Sequence, residues 1–314
     1  MPRPKNQRGR GLRRSERAQQ RPPTEGFLPL PGKIRKTLRS LGNSFNFGLY
    51  FNKWLLVQEK TWKEEGSQET KSSLDYEFKS QGQAREVLNK YTKARSGVEK
   101  LLEQKHREIE NLIQAFERLG YEPLINNEYF LQTSLIIGLG NAHPTERGFT
   151  FHWTLGIPYI PAESIKGVVR LAYLVQKAEE DPDFFESWAR EDEEFWEFLA
   201  KPFGRKEGEN TAARGKAIFL DAFPVEVPEL TLEITTCHYL DYYGGKRGPT
   251  EDQNPNPLPF LAVKPGAKFR FVVLVSKEIE DHKESLHKAF EAALTEHGFG
   301  AKTALGHGRF KNVP

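Results

Sequence analysis

The chain has 314 residues, a formal net charge of +3, and a composition that is 37% hydrophobic and 12% aromatic, with 22 Phe. This apolar content supports one large domain or two modest ones and excludes a chain that is disordered throughout. The chain contains no run of about 18 apolar residues, so we expect neither a membrane span nor a membrane partner. The single cysteine, Cys237, excludes an intrachain disulfide and favours a reducing, cytoplasmic location.

The first 26 residues are predicted to be a disordered basic tail. Residues 1–21 hold eight basic side chains and one acid, Glu16, so they carry +7 and leave −4 on the rest of the chain. No hydrophobic run follows Arg13, so we expect no secretory signal here. The tail is interpreted either as an arm that touches phosphates or as a solubilising segment. Because the body is nearly neutral, a nucleic-acid site on it has to be a local groove.

Residues 27–122 are predicted to form a helical module. From 83 to 119 apolar side chains recur in steps of three and four, the pattern of one buried helical stripe. Gly97 is a weak point of this helix, and Gly120 is its expected C-terminal stop. The segment before it is the expected packing partner, joined through a polar connection at 66–82.

Residues 123–314 are predicted to form an α+β domain with an insertion at 238–266. The predicted strands are 128–140, 215–225, 230–236, 268–275 and the closing GRFKNV, and the predicted helices are 163–176 and 281–297. With the shorter elements set aside, the order is β–α–β–β–α–β, the ferredoxin-like (RRM-like) arrangement with helices on one face of a sheet. The stretch 179–197 holds ten carboxylates. Aromatic residues interleave with the acidic ones at helical spacing over 183–200, which predicts a helix whose apolar face packs inward.

The segment 297–310, HGFGAKTALGHGRF, is the most informative in the chain. Its glycines form two Gly-x-Gly pairs with five residues between them: Gly298, Gly300, Gly306 and Gly308. Glycine allows positive φ and close backbone approach, and clustered amides form an anion-binding nest. Lys302 and Arg309 lie in the same segment and suit phosphate. The structural alternative is a tight turn between the last helix and the last strand.

Two common nucleotide-binding motifs are excluded in this segment. A Walker loop needs glycine directly before Lys302, where Ala301 stands, and a Rossmann fingerprint needs glycine at Thr303 and a preceding strand. Neither an ATPase nor a dehydrogenase is therefore expected.

The pattern Gly-Phe-Gly, five residues, Gly-His-Gly and then Arg-Phe resembles the glycine-rich signature of the RAMP superfamily of CRISPR proteins. Three further segments are similar to that family: GLGNAHPTERGFTFHWTLGIPYIPAESIKGVVR (138–170), GKAIFLDAFPV (215–225) and HYLDYYGGKRGPTEDQNPNPLPFLAVKPG (238–266). The resemblance covers 125–314 and departs at Ala162, where a glycine is usual. Within the superfamily these segments resemble a RAMP subunit of the type III-B (Cmr) effector complex.

The resemblance implies a ferredoxin-like domain that binds CRISPR RNA in an antiviral complex, where a guide RNA finds single-stranded target RNA. The implied partners are the guide RNA, the target RNA and other Cmr-type subunits: the repeated backbone subunit, a small helical subunit and a terminal RAMP subunit. It further implies that the backbone subunit cleaves the target, whereas this subunit caps the filament at the 3′ side of the guide without cutting. No catalytic residue, metal or cofactor is therefore expected on this chain.

Lys166 and Arg170 are the leading candidates for contact with the guide backbone. They lie four residues apart, on one face of a helix that opens near Ser164 in the motif Ser-x-Lys-Gly. The helix N-terminus favours phosphate, and the two cations strengthen that preference. The alternative is an ordinary solvated face, the usual environment of Lys and Arg.

Histidines and tyrosines supply the candidates for contact with bases: His143, His152, His238 and Tyr239. Histidine and aromatic rings stack on splayed single-stranded bases, and Lys246 and Arg247 follow close behind Tyr239. Paired imidazoles could instead serve a metal-independent ribonuclease, and Asp221 or Asp241 with two histidines could hold a metal, although no HExxH spacing occurs. Structural histidines and an ordinary surface loop are the remaining interpretations.

These sequence features are compatible with three functions. The first is a non-catalytic RNA-binding scaffold, with phosphates held by the glycine-loop amides and the cations named above. The second is an endoribonuclease that processes CRISPR RNA, and the third is a subunit that bridges other proteins without touching RNA.

Overall fold

The structure, a computed structural model, describes residues 45–55, 57–63, 70–76, 78, 80–205, 213–237, 239–252 and 256–312. The predicted basic tail at 1–26 and the candidate His238 lie outside this part of the chain. The described residues combine helices with a multi-stranded sheet, which confirms the predicted α+β class. None of their helices has the length and apolar character needed to cross a bilayer.

In chain order the helices are α1 (Phe47–Lys53), α2 (Gln81–Ala94), α3 (Glu99–Glu117), α4 (Ala162–Glu180), α5 (Phe184–Arg190), α6 (Glu193–Phe203), α7 (Leu240–Tyr243) and α8 (Lys283–Ala292). The strands are β1 (Val57–Lys63), β2 (Thr70–Tyr76), β3 (Tyr121–Leu131), β4 (Gly204–Arg205), β5 (Ala213–Arg214), β6 (Ala217–Phe219), β7 (Phe223–Pro224), β8 (Leu230–Cys237), β9 (Asn256–Val263), β10 (Lys268–Ser276) and β11 (Phe310–Asn312). A π-helical turn, Ala293–His297, extends α8.

The module predicted to be helical at 27–122 also contains a pair of strands, which corrects that prediction. β1 and β2 pair antiparallel along their whole length, and β2 lies within the polar connection expected at 66–82. A polar run lacks the apolar period that reveals a strand, yet backbone pairing needs no apolar side chain. α2 and α3 occupy the helix predicted at 83–119, separated by a 3₁₀ turn that ends at Gly97.

The central sheet has the strand order β11-β3-β10-β6, with β7 also paired to β10, and every pair is antiparallel. β3 covers 121–131, whereas the sequence predicted a strand over 128–140. Residues 135–137 are nevertheless buried, because this segment lies between β9 and the glycine-rich segment. The apolar run that predicted the strand therefore reflects burial in a loop.

Helices cover both faces of the central sheet, which corrects the prediction of helices on one face only. α4 and α8 pack on each other and on the face that carries Phe271 of β10. α3 lies on the opposite face, where Ile109 and Ile113 pack with Val272 and Leu274. β10 is apolar at consecutive positions, which is the pattern of a strand buried on both sides.

The insertion predicted at 238–266 begins earlier in the structure. β8 and β9 pair antiparallel along their whole length, so the inserted hairpin runs from Leu230 to Val263, and α7 lies in its connection. The sequence predicted β8 as a separate strand, because its partner β9 contains prolines and does not have the composition of a strand.

The acidic stretch 179–197 forms the end of α4, all of α5 and the start of α6. Phe184 and Phe195 are fully buried, so the predicted inward packing of its apolar face is confirmed, with two short helices in place of one.

Candidate nucleic-acid interface

The N-terminus of α4 is tied to the connection between β6 and β7. The Asp221 carboxylate accepts a hydrogen bond from the amide of Ala162 at 2.8 Å, and Ile160 and Ala222 exchange two backbone hydrogen bonds of 2.9 Å. An acidic side chain thus already occupies the positive end of the helix. The predicted contribution of the helix terminus to phosphate binding stays a prediction, with the Ala162 amide already bonded to a carboxylate. Ser164 lies in this first turn, half-buried, and its amide donates to the protein rather than to a ligand.

Lys166 and Arg170 lie one turn apart on α4 and form a pair of like charges. Both side chains are half-buried, and neither forms an ion pair with any carboxylate that the structure describes. The Nε of Arg170 is buried without a hydrogen-bond partner. Burial lowers the pKa of Lys166, and the charge of Arg170 lowers that pKa further. A bound anion would offset both charges and satisfy the buried Nε–H.

The glycine-rich segment is bound tightly to the protein. The amide of Gly308 donates to the Ser134 carbonyl at 3.0 Å, and the amide of Gly298 donates to the Ala293 carbonyl at 2.9 Å. The amide of Gly306 donates to the Thr303 carbonyl of its own segment at 2.8 Å. These three amides already have acceptors within the protein, and contact of the four glycines with RNA stays a prediction. The turn that the sequence offered as the alternative accounts for them.

Close backbone contact is the physical reason for glycine at two of these positions. A Cβ on Gly300 would lie 2.2 Å from the Ile136 carbonyl oxygen, and a Cβ on Gly308 would lie 1.9 Å from the Phe299 carbonyl oxygen. Both glycines also have positive φ, which other residues rarely adopt. The motif thus packs three stretches of backbone together and holds Phe299 in the core.

Two cations remain available at the rim of this segment. Lys302 has a left-handed backbone, and its Nζ lies 5.6 Å from the ring centroid of Phe260 on β9. The Nε of Arg309 is buried and, like that of Arg170, has no hydrogen-bond partner. The amides of Gly300 and Lys302 donate to no backbone carbonyl in the described part of the chain. The predicted anion site is thus reduced to the side chains of Lys302 and Arg309 and the amides of Gly300 and Lys302.

His143 is held by hydrogen bonds within the protein, and its contact with RNA stays a prediction. Its Nε2 lies 2.9 Å from the Phe51 carbonyl and its Nδ1 lies 2.8 Å from the Thr145 hydroxyl, so both ring nitrogens are occupied. The ring stacks on Phe51 with centroids 4.5 Å apart. Burial lowers the pKa of His143.

His152 lies against a different cluster and is not paired with His143. Its ring contacts Tyr159 and Phe223 edge-on, with centroids 5.5 and 5.3 Å apart, and its Nδ1 lies 3.1 Å from the Thr154 hydroxyl. Burial lowers the pKa of His152, so the ring is neutral near pH 7. The structure therefore holds no paired imidazoles at these two positions, and contact of His152 with RNA stays a prediction.

The connection between β8 and β9 carries the aromatic candidates for base contact, and the structure describes those from Tyr239 onward. Tyr239 is half-buried, whereas Tyr242 and Tyr243 are 50% and 74% exposed with ring centroids 5.6 Å apart. No group of three potential metal ligands occurs among the residues that the structure describes.

Sequence reasoning missed one exposed aromatic residue in the segment that precedes α4. Trp153 is 64% exposed at the apex of the turn between the bridged residues Phe151 and Pro158. Gly156, which has positive φ, marks this turn in the sequence, but nothing in the sequence shows which side chain faces solvent. The buried Nε atoms of Arg170 and Arg309 likewise become visible only in the structure.

The chain belongs to the RAMP superfamily, because the profile of that superfamily matches residues 131–311, more than half of the sequence. It is similar to the CRISPR system Cmr subunit Cmr6 of Pyrococcus furiosus, with 26% identity over 326 residues, 85% of this chain and 94% of the relative. The CRISPR system CMR subunit Cmr6 of Saccharolobus solfataricus is 26% identical over 210 residues, 65% of this chain and 62% of that relative. The predicted resemblance to Cmr-type RAMP proteins is thus confirmed.

A solved structure has a similar fold. A chain of the cryo-EM structure of the type III-B Cmr-beta bound to cognate target RNA aligns with a TM-score of 0.50 and 23% identity, over 68% of this chain and 66% of that chain.

Proposed function

We propose that this chain is an RNA-binding structural subunit of a type III-B CRISPR effector, a complex that also contains other Cmr-type subunits. In this proposal it contacts the guide RNA near its 3′ side, together with the guide–target duplex, and does not cut RNA. Similarity to a Cmr6 subunit across 94% of that relative supports the assignment. The partners are then the repeated backbone subunit, the small helical subunit and a terminal RAMP subunit.

The uncompensated pair Lys166 and Arg170 is the observation that carries the proposal. Half-buried cations normally have carboxylate partners, and a buried guanidinium Nε–H without an acceptor costs free energy. A phosphate bridging the two side chains supplies both the acceptor and the negative charge. The cations left at the glycine segment, Lys302 and Arg309, support a second point of contact.

The covered sheet supports a particular path for RNA in this proposal. The strand order β11-β3-β10-β6 supports a ferredoxin-like domain, but an RRM-like domain stacks bases on an open sheet face. α3 occupies that face here, through Ile109 and Ile113. We therefore propose that the RNA contacts the start of α4 and the glycine segment instead of the sheet face.

The separation of His143 from His152 supports a subunit that does not cut. Metal-independent cleavage of RNA needs an acid and a base on either side of one phosphate. His143 has both nitrogens bound within the protein, and His152 faces another cluster. Target cleavage is then the work of the backbone subunit.

The test is the double charge reversal Lys166→Glu/Arg170→Glu. Removal of two charged interactions is expected to lower the retention of guide RNA by roughly tenfold or more. The RNA that co-purifies with the chain in its complex is the measured quantity. Arg190→Glu/Lys288→Glu is the matched control, because it changes charge equally at residues paired with Glu186 and Glu284.

Unchanged RNA in the double variant, with the fold and the complex intact, would overturn the proposal. That result would favour a subunit that bridges proteins without touching RNA.

A further inference from the structure

Trp153 is a large aromatic side chain that the fold holds in solvent. Its exposed fraction is 64%, whereas Leu155, two residues later in the same turn, is buried against α3. From this position we infer that Trp153 stacks on an unpaired RNA base, a contact that rests on the proposed RNA-binding function. The ligand is single-stranded RNA, and the contact is to the face of a base rather than to a phosphate.

The turn is held rigidly, so the ring is presented in one place. The side-chain amide of Asn46 donates to the carbonyls of Trp153 and Thr154 at 2.7 and 3.0 Å. His152 closes the turn from inside, because its carbonyl accepts the amide of Gly156 at 2.7 Å and its amide donates to Ile157 at 2.8 Å. An aromatic residue on a rigid backbone loses little conformational entropy when it is covered by a ligand.

Side-chain contacts connect this turn to the segment that leads into α4. The His152 ring touches Tyr159 and Phe223, and Tyr159 lies three residues before Ala162, the first residue of α4. Asp221 then holds Ala162 in place. In this inference, an RNA strand whose phosphates lie at the start of α4 continues past this turn.

The surroundings of Trp153 favour a nucleotide over a protein. Its neighbours in the turn, His152 and Thr154, are polar, whereas protein hot spots lie inside apolar surroundings that exclude water. Lys105 contacts the cluster behind the turn, with its Nζ 5.4 Å from the centroid of the Phe223 ring that His152 touches and 3.5 Å from the Glu108 carboxylate. A solvent-exposed aromatic face is the usual platform on which the bases of single-stranded RNA stack.

The experiment measures the binding of the full-length chain to a single-stranded RNA that carries 2-aminopurine, at low salt. Trp153→Ala is expected to lower the affinity about tenfold and to reduce the change in 2-aminopurine fluorescence, because one stacking interaction is removed. Trp153→Phe keeps an aromatic face and is expected to restore most of both signals. Phe185→Ala is the matched control, since that ring is 60% exposed on the acidic α5.

The outcomes separate this inference from the proposed function. If Trp153→Ala binds RNA like the wild type while Lys166→Glu/Arg170→Glu does not, the stacking contact is overturned and the proposed function stands. If both variants bind like the wild type, or if the wild type binds no RNA, both proposals fail. If Trp153→Ala keeps its RNA affinity but loses another subunit from the complex, the residue contacts protein and the inference is overturned.

Discussion

Gly306 and Gly308 belong to one motif, but glycine is needed at the two positions for different reasons. Both have positive φ, at +86° and +73°. A Cβ on Gly306 would meet nothing within 4 Å, whereas a Cβ on Gly308 would meet the Phe299 carbonyl. The sequence pattern is the same at both sites, so only the packing separates a conformational requirement from a steric one.

Gly308→Ala is therefore expected to destabilise the fold more than Gly306→Ala. A positive φ costs a non-glycine residue about 1–2 kcal/mol, and the clash at Gly308 adds to that cost. We expect the free energy of unfolding to fall by about 3 kcal/mol or more at Gly308 and by about 1–2 kcal/mol at Gly306. Urea unfolding of the two variants measures the difference, and equal losses would show that the close approach is absent.

His143 makes stability depend on pH. Burial, opposed in part by the hydrogen bond to Phe51, lowers its pKa in the folded state below the ordinary value of 6.5. Below pH 6.5 the unfolded chain then binds more protons than the folded chain at this residue, so stability falls as pH falls towards the folded-state pKa.

His143→Phe is expected to reduce the pH dependence of the free energy of unfolding below pH 6.5. The reduction is at most about 1.4 kcal/mol per pH unit, the effect of one proton. Denaturant titrations from pH 7 downward measure the slope, whatever the variant does to absolute stability. His287→Phe, at a half-exposed histidine of α8, is the control, and a slope like that of the wild type in His143→Phe would contradict the argument.

At the scale of elements, α3 decides which surfaces of the sheet are available. Its amphipathic stripe was visible in the sequence, because apolar residues recur at helical spacing. The sequence did not show which surface this stripe packs against, because hydrophobic periodicity identifies the buried face of a helix but not the element that covers it. β10 carried the missing signal, with Val272 and Leu274 apolar on the side that a one-sided sheet would expose.

Ile109→Ala is expected to destabilise the protein by about 2–5 kcal/mol, because it opens a cavity between α3 and the sheet. Leu112→Ala, on the same helix at a residue that is 42% exposed, is expected to cost less than about 1 kcal/mol. Thermal or urea unfolding compares the two. Similar losses would mean that α3 does not pack on the sheet through Ile109.

At the scale of the whole molecule, charge is divided between a basic terminus and a body that carries −4. Two cations on α4 and two at the glycine segment make local basic sites on that body. The tail at 1–21 is then expected to be a second, less specific source of attraction for RNA.

Deletion of 1–21 is expected to weaken RNA binding and to make it less sensitive to salt. The slope of log affinity against log salt concentration falls by about 0.7 for each phosphate of a single strand that the protein no longer neutralises. Binding measured across a series of salt concentrations tests this. An unchanged slope would leave the tail with a role in solubility alone.

The sequence by itself was enough to determine the superfamily, the α+β class and most element positions. Glycine spacing and apolar period are local, so the signature at 297–310 and the stripe at 83–119 could be read directly. The tertiary structure alone decided which polar atoms have partners. The hydrogen bonds of His143 and of the Gly308 amide join residues that are far apart in the chain. The packing that buries the Arg170 Nε without a hydrogen-bond partner also depends on the tertiary structure. No local pattern records such interactions, because they depend on which segments the fold brings together.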